Sequence, residues 1–382
     1  MKIAMLSEGW EPLIGGGQLY AKYLSENLIS KHDCYVDIFT RSFVGEDNKI
    51  YKEKKNQLSK QRIFRIGPIT KFFNLFGRLG RLMNVSFSLY RLAKKEKYDI
   101  IHAHALSPGL PAKIIGGMLK IPVVYTVHGT MHMDTDKKGL LYWGEKFFVT
   151  KLKYDLEISV SSKILNYKNI NKNIQIIYPG LNIDKFKAVN GVKKYKGKQF
   201  LFVGRLDWQK GLEYLIEALK IIGKETLEKN EFILNIVGIG ELMNDLKQLI
   251  KKYGLEKFII FKGKLLDKEL VEEYEKNSFF VLPSLAEGQP IVVFEAFASK
   301  MPVIVTNVGD NSNFVKNNKN GFIVNPLDSS ELAKAILNML SLKEDNINNM
   351  IENGYNLVQE YDRDKVTNRI YEQYKLLLNN KY

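Results

Sequence analysis

Two glutamates with seven residues between them, Glu287 and Glu295, frame the segment Glu287-Gly288-Gln289-Pro290-Ile291-Val292-Val293-Phe294-Glu295. A proline followed by apolar residues starts a helix, here around Pro290. The free amides of that first turn, around Gly288, Ile291 and Val292, then suit an anion. Carboxylates this close to apolar sequence need partners, and sugar or ribose hydroxyls would serve. The plainer reading is helix capping and surface charge.

A second group of residues lies upstream, in Val203-Gly204-Arg205-Leu206-Asp207-Trp208-Gln209-Lys210-Gly211, between a strand and a helix. A fork-shaped guanidinium and a point-like ammonium on one loop, Arg205 and Lys210, can share a diphosphate. Two ordinary surface cations are the alternative. Nearby, Val237-Gly238-Ile239-Gly240 ends another strand, where Gly238 allows a ligand to come close or simply makes a tight turn.

In the first half, Gly15-Gly16-Gly17 follows the first strand and precedes the first helix, so Gly16 and Gly17 offer unhindered amides to an anion. The spacing is not that of a dinucleotide fingerprint, and no P-loop lysine follows. His128 comes directly after the strand Val123–Val127, with His102, His104 and His132 as further candidates for the same region. No carboxylate has the spacing to complete a metal site, so no metal and no resident cofactor are expected.

The elements that must hold these groups alternate regularly. Strand patterns at Lys2–Leu6, Tyr35–Thr40, Ile100–Ala103, Val123–Val127, Leu156–Val160 and Ile174–Tyr178 are separated by several helical stretches. A polar, lysine-rich link follows, and then a second series begins at Gln199–Gly204 and runs through Phe232–Val237, Phe258–Phe261, Phe279–Leu282 and Pro302–Thr306. The expectation is an α/β protein with two doubly wound, Rossmann-like domains facing across a cleft, 1–190 to bind an acceptor and 191–360 to bind a nucleotide donor, and a C-terminal helix, 361–382, packing back on the first domain. A chain of 382 residues suits two such domains.

The single cysteine, Cys34, reads as a small core residue. No stretch reaches about 18 uncharged apolar residues, so a cytoplasmic protein is expected. The net charge of +15 has a local origin: between Lys49 and Lys97 fourteen Lys and Arg face two acids. No nucleic-acid reading motif accompanies it. Within this block, residues 71–97 mix cations with aromatic and aliphatic side chains, among them Arg78, Arg81 and Arg91, which suits an interfacial helix on an anionic membrane. A core helix with solvated cations is the alternative.

Taken together, these motifs resemble the retaining glycosyltransferases with the GT-B fold, in the family 4 group. The Glu-x7-Glu pattern is the most specific element. The order of the glycine loop, His128-Gly129, Tyr178-Pro179-Gly180, Gly204-Arg205-Leu206 with Lys210-Gly211, and the paired glutamates fits as well. The resemblance implies that Arg205 and Lys210 hold the diphosphate of a nucleotide-sugar donor, Glu295 the ribose and Glu287 the transferred sugar. It puts Gly16 and Gly17 against the phosphate and His128 near the sugar and acceptor. It also implies metal-independent hexose transfer, assisted by the leaving diphosphate, to a lipid-linked or other glycan acceptor. Asn182 and Ile239 replace acids found in many relatives, which leaves the donor open. A nucleotide-sugar epimerase of similar architecture and a non-catalytic sugar-nucleotide binder are the competing readings.

Overall fold

Short runs of apolar and β-branched residues alternate with helical stretches along the whole chain, and the alternation folds into two parallel sheets. The computed structural model describes residues 1–11, 16–44, 50–51, 54–55, 60–67, 75–128, 140–186, 198–288 and 291–379. The chain divides into one unit of Met1–Gly180 with Arg363–Tyr382 and another of Leu181–Asp362.

The first unit begins with β1 (Lys2–Ser7), α1 (Gly16–His32), β2 (Tyr35–Arg41) and the short strands β3 (Phe43–Val44), β4 (Ile50–Tyr51) and β5 (Lys54–Lys55). It continues with β6 (Gln61–Ile66), α2 (Leu75–Glu96), β7 (Ile100–His104), α3 (Leu106–Leu119) and β8 (Val123–Val127). Then come α4 (Leu140–Thr150), β9 (Leu156–Ser159) and β10 (Ile174–Ile176). Its sheet runs β10-β9-β8-β7-β1-β2-β6-β5, parallel except for β5. β1 is buried from Ile3 to Ser7, as a strand covered on both faces must be. Its alternating side chains feed two core layers. Ile3 and Met5 join Leu24 and Leu28 of α1, whereas Ala4 and Leu6 join Leu89 of α2, Ile115 of α3 and Val149 of α4.

The second unit holds β11 (Gln199–Val203), α5 (Leu212–Ile222), α6 (Lys224–Lys229), β12 (Ile233–Val237), α7 (Met243–Tyr253) and β13 (Ile259–Gly263). It continues with α8 (Asp267–Lys276), β14 (Phe279–Leu282), α9 (Ile291–Ala298), β15 (Val303–Thr306), α10 (Asn311–Phe314) and β16 (Gly321–Val324). Helices α11 (Ser329–Ser341) and α12 (Glu344–Gln359) complete it, and the last helix, α13 (Arg363–Asn379), belongs to the first unit. The second sheet runs β13-β12-β11-β14-β15-β16, all parallel. In each sheet the strand order reverses once, at β1/β7 and at β11/β14. The loops leaving those neighbouring strands diverge and open a crevice beyond their carboxyl ends.

The first unit ends at Gly180, earlier than the boundary expected at 190. Residues 187–197, the polar link, lie outside the described residues. The reason for the earlier division is that Leu181 already bonds through its backbone to Tyr361, at 2.9 Å, and the turn Ile183–Phe186 packs on α8 and α9. α13 docks on α1, with Asp364 accepting from Asn27 at 2.8 Å and pairing with Lys31 at 2.7 Å.

Five strands escape the sequence reading: the two-residue β3, β4 and β5, and the longer β6 and β16. In β6 the alternation is masked by arginines that look like surface charge. Arg62 instead straddles the buried Asp37, at 2.8 and 2.5 Å, and reaches Glu96 at 3.1 Å. Part of the basic block is therefore neutralised within the fold.

Under α4 lies a buried polar cluster. Glu157 on β9 is fully enclosed and accepts from Asn169 and Asn171, at 3.1 and 2.6 Å, through Oε2 alone. Its Oε1 and the hydroxyls of Tyr125 and Tyr154 have no partner among the described residues. Burial pushes the carboxyl up to about 7, against the pull of the two amides. The folded state thus keeps a proton that the unfolded chain releases at ordinary carboxyl pH, so stability falls as pH rises from about 4.5 to 7. Glu157→Gln removes this dependence. The variant should gain up to about 3 kcal/mol on the wild type at pH 8 and nothing at pH 4.5. Urea unfolding at a series of pH values checks this, and a difference that stays flat with pH refutes it.

Candidate functional site

The loop after β11 in the second unit is held from both sides. Gly204 and Leu206 donate backbone hydrogen bonds to Val237 and Ile239, both at 3.0 Å. Gly238, at φ +140, has the Gly204 carbonyl 1.8 Å from where a Cβ would stand, and Gly240 has the Leu206 carbonyl at 2.3 Å. Loop-to-loop approach therefore accounts for both glycines, including the ligand candidate Gly238. On the other side Leu285 donates its backbone N–H to Gln209 at 2.7 Å. Gly211, left-handed at φ +58, fits against the Pro283 carbonyl, where a Cβ would collide at 2.4 Å.

This clamping brings Lys210 to Glu287. The ammonium lies 2.5 Å from Glu287 Oε1, and Ser284 Oγ donates to the same oxygen at 2.6 Å. Both charged side chains are mostly enclosed, at 16% and 9% exposure. From the β15 side Gly309, at φ +59, lies against the Glu287 carbonyl. Arg205 stays exposed, paired with Asp207 at 3.0 Å and donating to Gln209 at 3.1 Å. An ammonium has three N–H donors, so Lys210 keeps two beyond Glu287.

α9 starts at Ile291, an exposed residue, and Val292 is half-buried; Gln289 and Pro290 lie outside the described residues, and Gly288 just before them is exposed. Glu295 is half-buried in α9. Its Oε2 accepts from the hydroxyl of Tyr274, a fully buried residue of α8, at 2.8 Å. Burial raises the Glu295 carboxyl, while the Tyr274 hydrogen bond and the charge of Lys185 pull it down. Tyr274 and Ser284 were not picked out from sequence. An aromatic on an apolar helix face looks like core, and only its hydroxyl distinguishes it from phenylalanine.

In the first unit, His102, His104 and His128 come together at the ends of β7 and β8. His102 is bound at both nitrogens, Nδ1 to the Tyr374 hydroxyl at 2.5 Å and Nε2 to Thr126 Oγ1 at 2.7 Å. His104 Nδ1 lies 3.2 Å from His128 Nε2. Burial lowers all three, His102 to about 3, His128 to about 4 and His104 well below the ordinary range. All three are therefore neutral at physiological pH. Gly17 of α1 lies under the His128 ring, where a Cβ would be 3.1 Å from Cγ, whereas Gly16 faces open space. His132, Gly129 and Gly15 lie outside the described residues. Among those described, no group of three His, Cys, Asp or Glu side chains could hold a metal.

Beside this cluster, at the carboxyl ends of β1 and β2, is a cavity of about 340 Å³ counting its open mouth. Ser7, Glu8, Thr40, Arg41, Val85 and Ser107 are among its lining residues. On the outer side of the same unit, α3 packs between α2 and α4. Each of the three exposes a pair of large apolar residues one helical turn apart: Met83 and Phe87, Ile114 and Met118, Trp143 and Phe147. The sequence reading placed such a surface on 71–97 alone. Residues 71–74 and the side chains of Arg78 and Arg81 lie outside the description, and α3 and α4 carry exposed apolar pairs of their own beyond that block. No described helix is long and apolar enough to cross a membrane.

Comparison with known proteins covers both units. Residues 14–185 match the family described as Glycosyltransferase Family 4, and residues 183–357 match Glycosyl transferases group 1. The Escherichia coli UDP-Gal:alpha-D-GlcNAc-diphosphoundecaprenol alpha-1,3-galactosyltransferase is 33% identical over 312 residues, 74% of this chain and 78% of that one. Mannosylfructose-phosphate synthase of Agrobacterium fabrum is 26% identical over 357 residues, 83% of this chain and 77% of that one. Among solved structures, sucrose-phosphate synthase from Thermosynechococcus elongatus superposes with a TM-score of 0.78 at 22% identity, covering 99% of both chains. HepE of Anabaena in complex with UDP superposes at 0.74 and 18%, covering 98% of this chain and 99% of that one. At these identities the structural likeness speaks for the fold.

The enclosed pair of the second unit has a measurable energetic signature. Lys210→Met leaves the Glu287 carboxylate with Ser284 as its remaining partner shown here, and should cost about 1 to 3 kcal/mol. Adding Glu287→Gln should recover more than half of that loss. Calorimetry of the two single variants and the double variant tests the coupling, and strictly additive losses would show that the pair does not exist.

Proposed function

This chain belongs to the group 1 glycosyltransferases with the GT-B fold, and from that membership we propose that it transfers a hexose from a uridine-diphosphate sugar to a hydroxyl of a lipid-diphosphate-linked glycan, with retention at the anomeric carbon and without a metal. The observation that carries this reading is the clamped constellation of Lys210, Glu287 and Glu295 around the start of α9, two carboxylates and a cation where a helix presents free amides. In this reading Lys210 and Arg205 hold the diphosphate, the amides at Gly288, Ile291 and Val292 add partial positive charge, and Glu295 accepts from the ribose. Glu287 accepts from the sugar while fixing the Lys210 ammonium. Gly16 leaves room for a phosphate and Gly17 for His128.

The chemistry follows from where charge appears. The bond from the anomeric carbon to the phosphate oxygen breaks, and a new bond to the acceptor oxygen forms on the same face. The acceptor proton passes to the leaving phosphate oxygen. Negative charge grows on the diphosphate, and preorganised cations and amides stabilise that charge most strongly when water is excluded. Such a device supplies the positive charge that a metal would otherwise bring.

The E. coli relative, a UDP-galactose:GlcNAc-diphosphoundecaprenol galactosyltransferase, supports the donor and acceptor class, and the UDP complex of HepE supports the nucleotide. The apolar pairs on α2, α3 and α4, with Arg91, Lys94, Lys95 and Lys146 nearby, suit reversible docking on the anionic cytoplasmic face of a membrane.

Three experiments test this. Purified protein offered UDP-sugars with a polyprenyl-diphosphate-linked saccharide in liposomes should release UDP and form product equally with and without chelator. Lys210→Ala and Glu295→Ala should each weaken UDP binding about tenfold or more in calorimetry; unchanged affinity would remove both from the donor site. Separately, Phe87→Glu combined with Met118→Glu and Trp143→Glu should abolish cosedimentation with anionic vesicles. Retained vesicle binding in that triple variant rejects the docking face.

A further inference from the structure

The two histidines of β7 reach the neighbouring strand β8 in the same diagonal way. In the parallel ladder His102 stands opposite Val124 and His104 opposite Thr126. His102 bonds the residue two places beyond its partner, Thr126, and His104 likewise bonds His128. The repeat differs in one respect. His102 is bound at both ring nitrogens, whereas His104, only 1% exposed, has no partner for its Nε2 among the described residues.

That orphaned nitrogen decides where the proton sits. Neutral His104 carries one N–H. If the proton were on Nε2, a fully buried donor would go unused, and orphaned buried N–H groups are the rarest kind of unsatisfied polar group. With the proton on Nδ1, His104 donates to His128 Nε2 and leaves on Nε2 only an unfilled lone pair. His128 must then carry its own single proton on Nδ1.

A second observation comes from the backbone. Ala105, immediately after His104, has φ 67 and ψ −179, a conformation otherwise reserved for glycine. Its N–H bonds the Thr126 carbonyl at 3.2 Å. The strained residue thus stands between the His104–His128 contact at the end of β7 and the start of α3 at Leu106.

We propose that His104 is a positioning residue that locks His128 in its Nδ1-protonated tautomer, so that His128 offers the substrate a hydrogen-bond donor and not a base. The inference rests on the reading of His128 as a substrate-facing residue. It assigns the missing proton logic of the first unit to a residue that itself touches no substrate. Gly17 belongs to the same arrangement, since a Cβ there would stand 3.1 Å from His128 Cγ, close enough to crowd the ring. Tyr20 closes the ring from the other side, its centroid 5.1 Å from His128 and 5.8 Å from His104.

The test starts with the unmodified protein. Nitrogen-15 spectra of histidine-labelled wild type, with the His128 signals identified by their loss in His128→Asn, should show Nδ1 protonated and Nε2 bare. A proton on His128 Nε2 overturns the proposal outright. His104→Leu should release His128 to the Nε2-protonated form that free imidazole side chains favour. It should lower kcat about 10- to 100-fold with KM for the UDP-sugar changed less than threefold, the scale on which misplacing one hydrogen-bonding group acts. His104→Asn places an amide N–H where Nδ1 stood and should restore both the tautomer and most of kcat. An unchanged His128 tautomer in His104→Leu, or equal damage in the leucine and asparagine variants, would reduce His104 to a core residue. The spectra need no turnover. If the protein accepts no UDP-sugar, the functional reading fails while the tautomer assignment is still decided.

Discussion

Everything chemical in this molecule depends on one constraint of parallel sheets: strands that run the same way end on the same side. At the point where strand order reverses, two adjacent strands send their loops apart. In the second unit these are β11 and β14, and the loops they release carry Lys210 and Glu287 respectively. In the first unit they are β1 and β7, whose ends supply the Gly16–Gly17 start of α1 and the pair His102 and His104. The site residues are far apart in the chain because the switch point, and not sequence neighbourhood, selects them.

A crevice at strand ends is lined by groups half withdrawn from water, and each must be reconciled with that environment. The second unit solves this with opposite charges. Lys210 and Glu287 neutralise each other at 2.5 Å, Ser284 takes up one carboxylate lone pair, and Tyr274 does the same for Glu295. The first unit solves it by removing charge altogether. Its three histidines are held neutral by burial and linked to each other or to hydroxyls. The proposed function assigns the diphosphate to the permanent cations and the sugar hydroxyls to the uncharged donors and acceptors.

The glycines show how closely the backbone has to approach for this to work. Gly211, Gly238 and Gly309 all have φ values that side chains rarely adopt, and each has a carbonyl oxygen of another loop within 2.4 Å of the position a Cβ would take. These contacts tie the β11, β12, β14 and β15 loops into one rigid rim, so Lys210 has little freedom to leave Glu287. Rigidity of this kind is what allows a long lysine side chain to act as a fixed charge.

Much of this was legible in the chain itself. Alternation of short apolar strands with helical stretches determined the doubly wound class, because a strand buried on both faces has to be apolar throughout and its helices amphipathic. Glycine and charge at strand ends singled out Arg205, Lys210 and Glu287, and the Glu-x7-Glu spacing added Glu295 in the helix that follows. Tertiary structure alone decided what their partners are. That Arg62 serves Asp37 and not a surface, that Tyr274 bonds Glu295 and is not plain core, and that His104 meets His128 while His102 meets Thr126 and Tyr374 all depend on ladder register and helix packing. Local pattern records which face of an element is buried. It carries no record of which residue, tens or hundreds of positions away, will be waiting there.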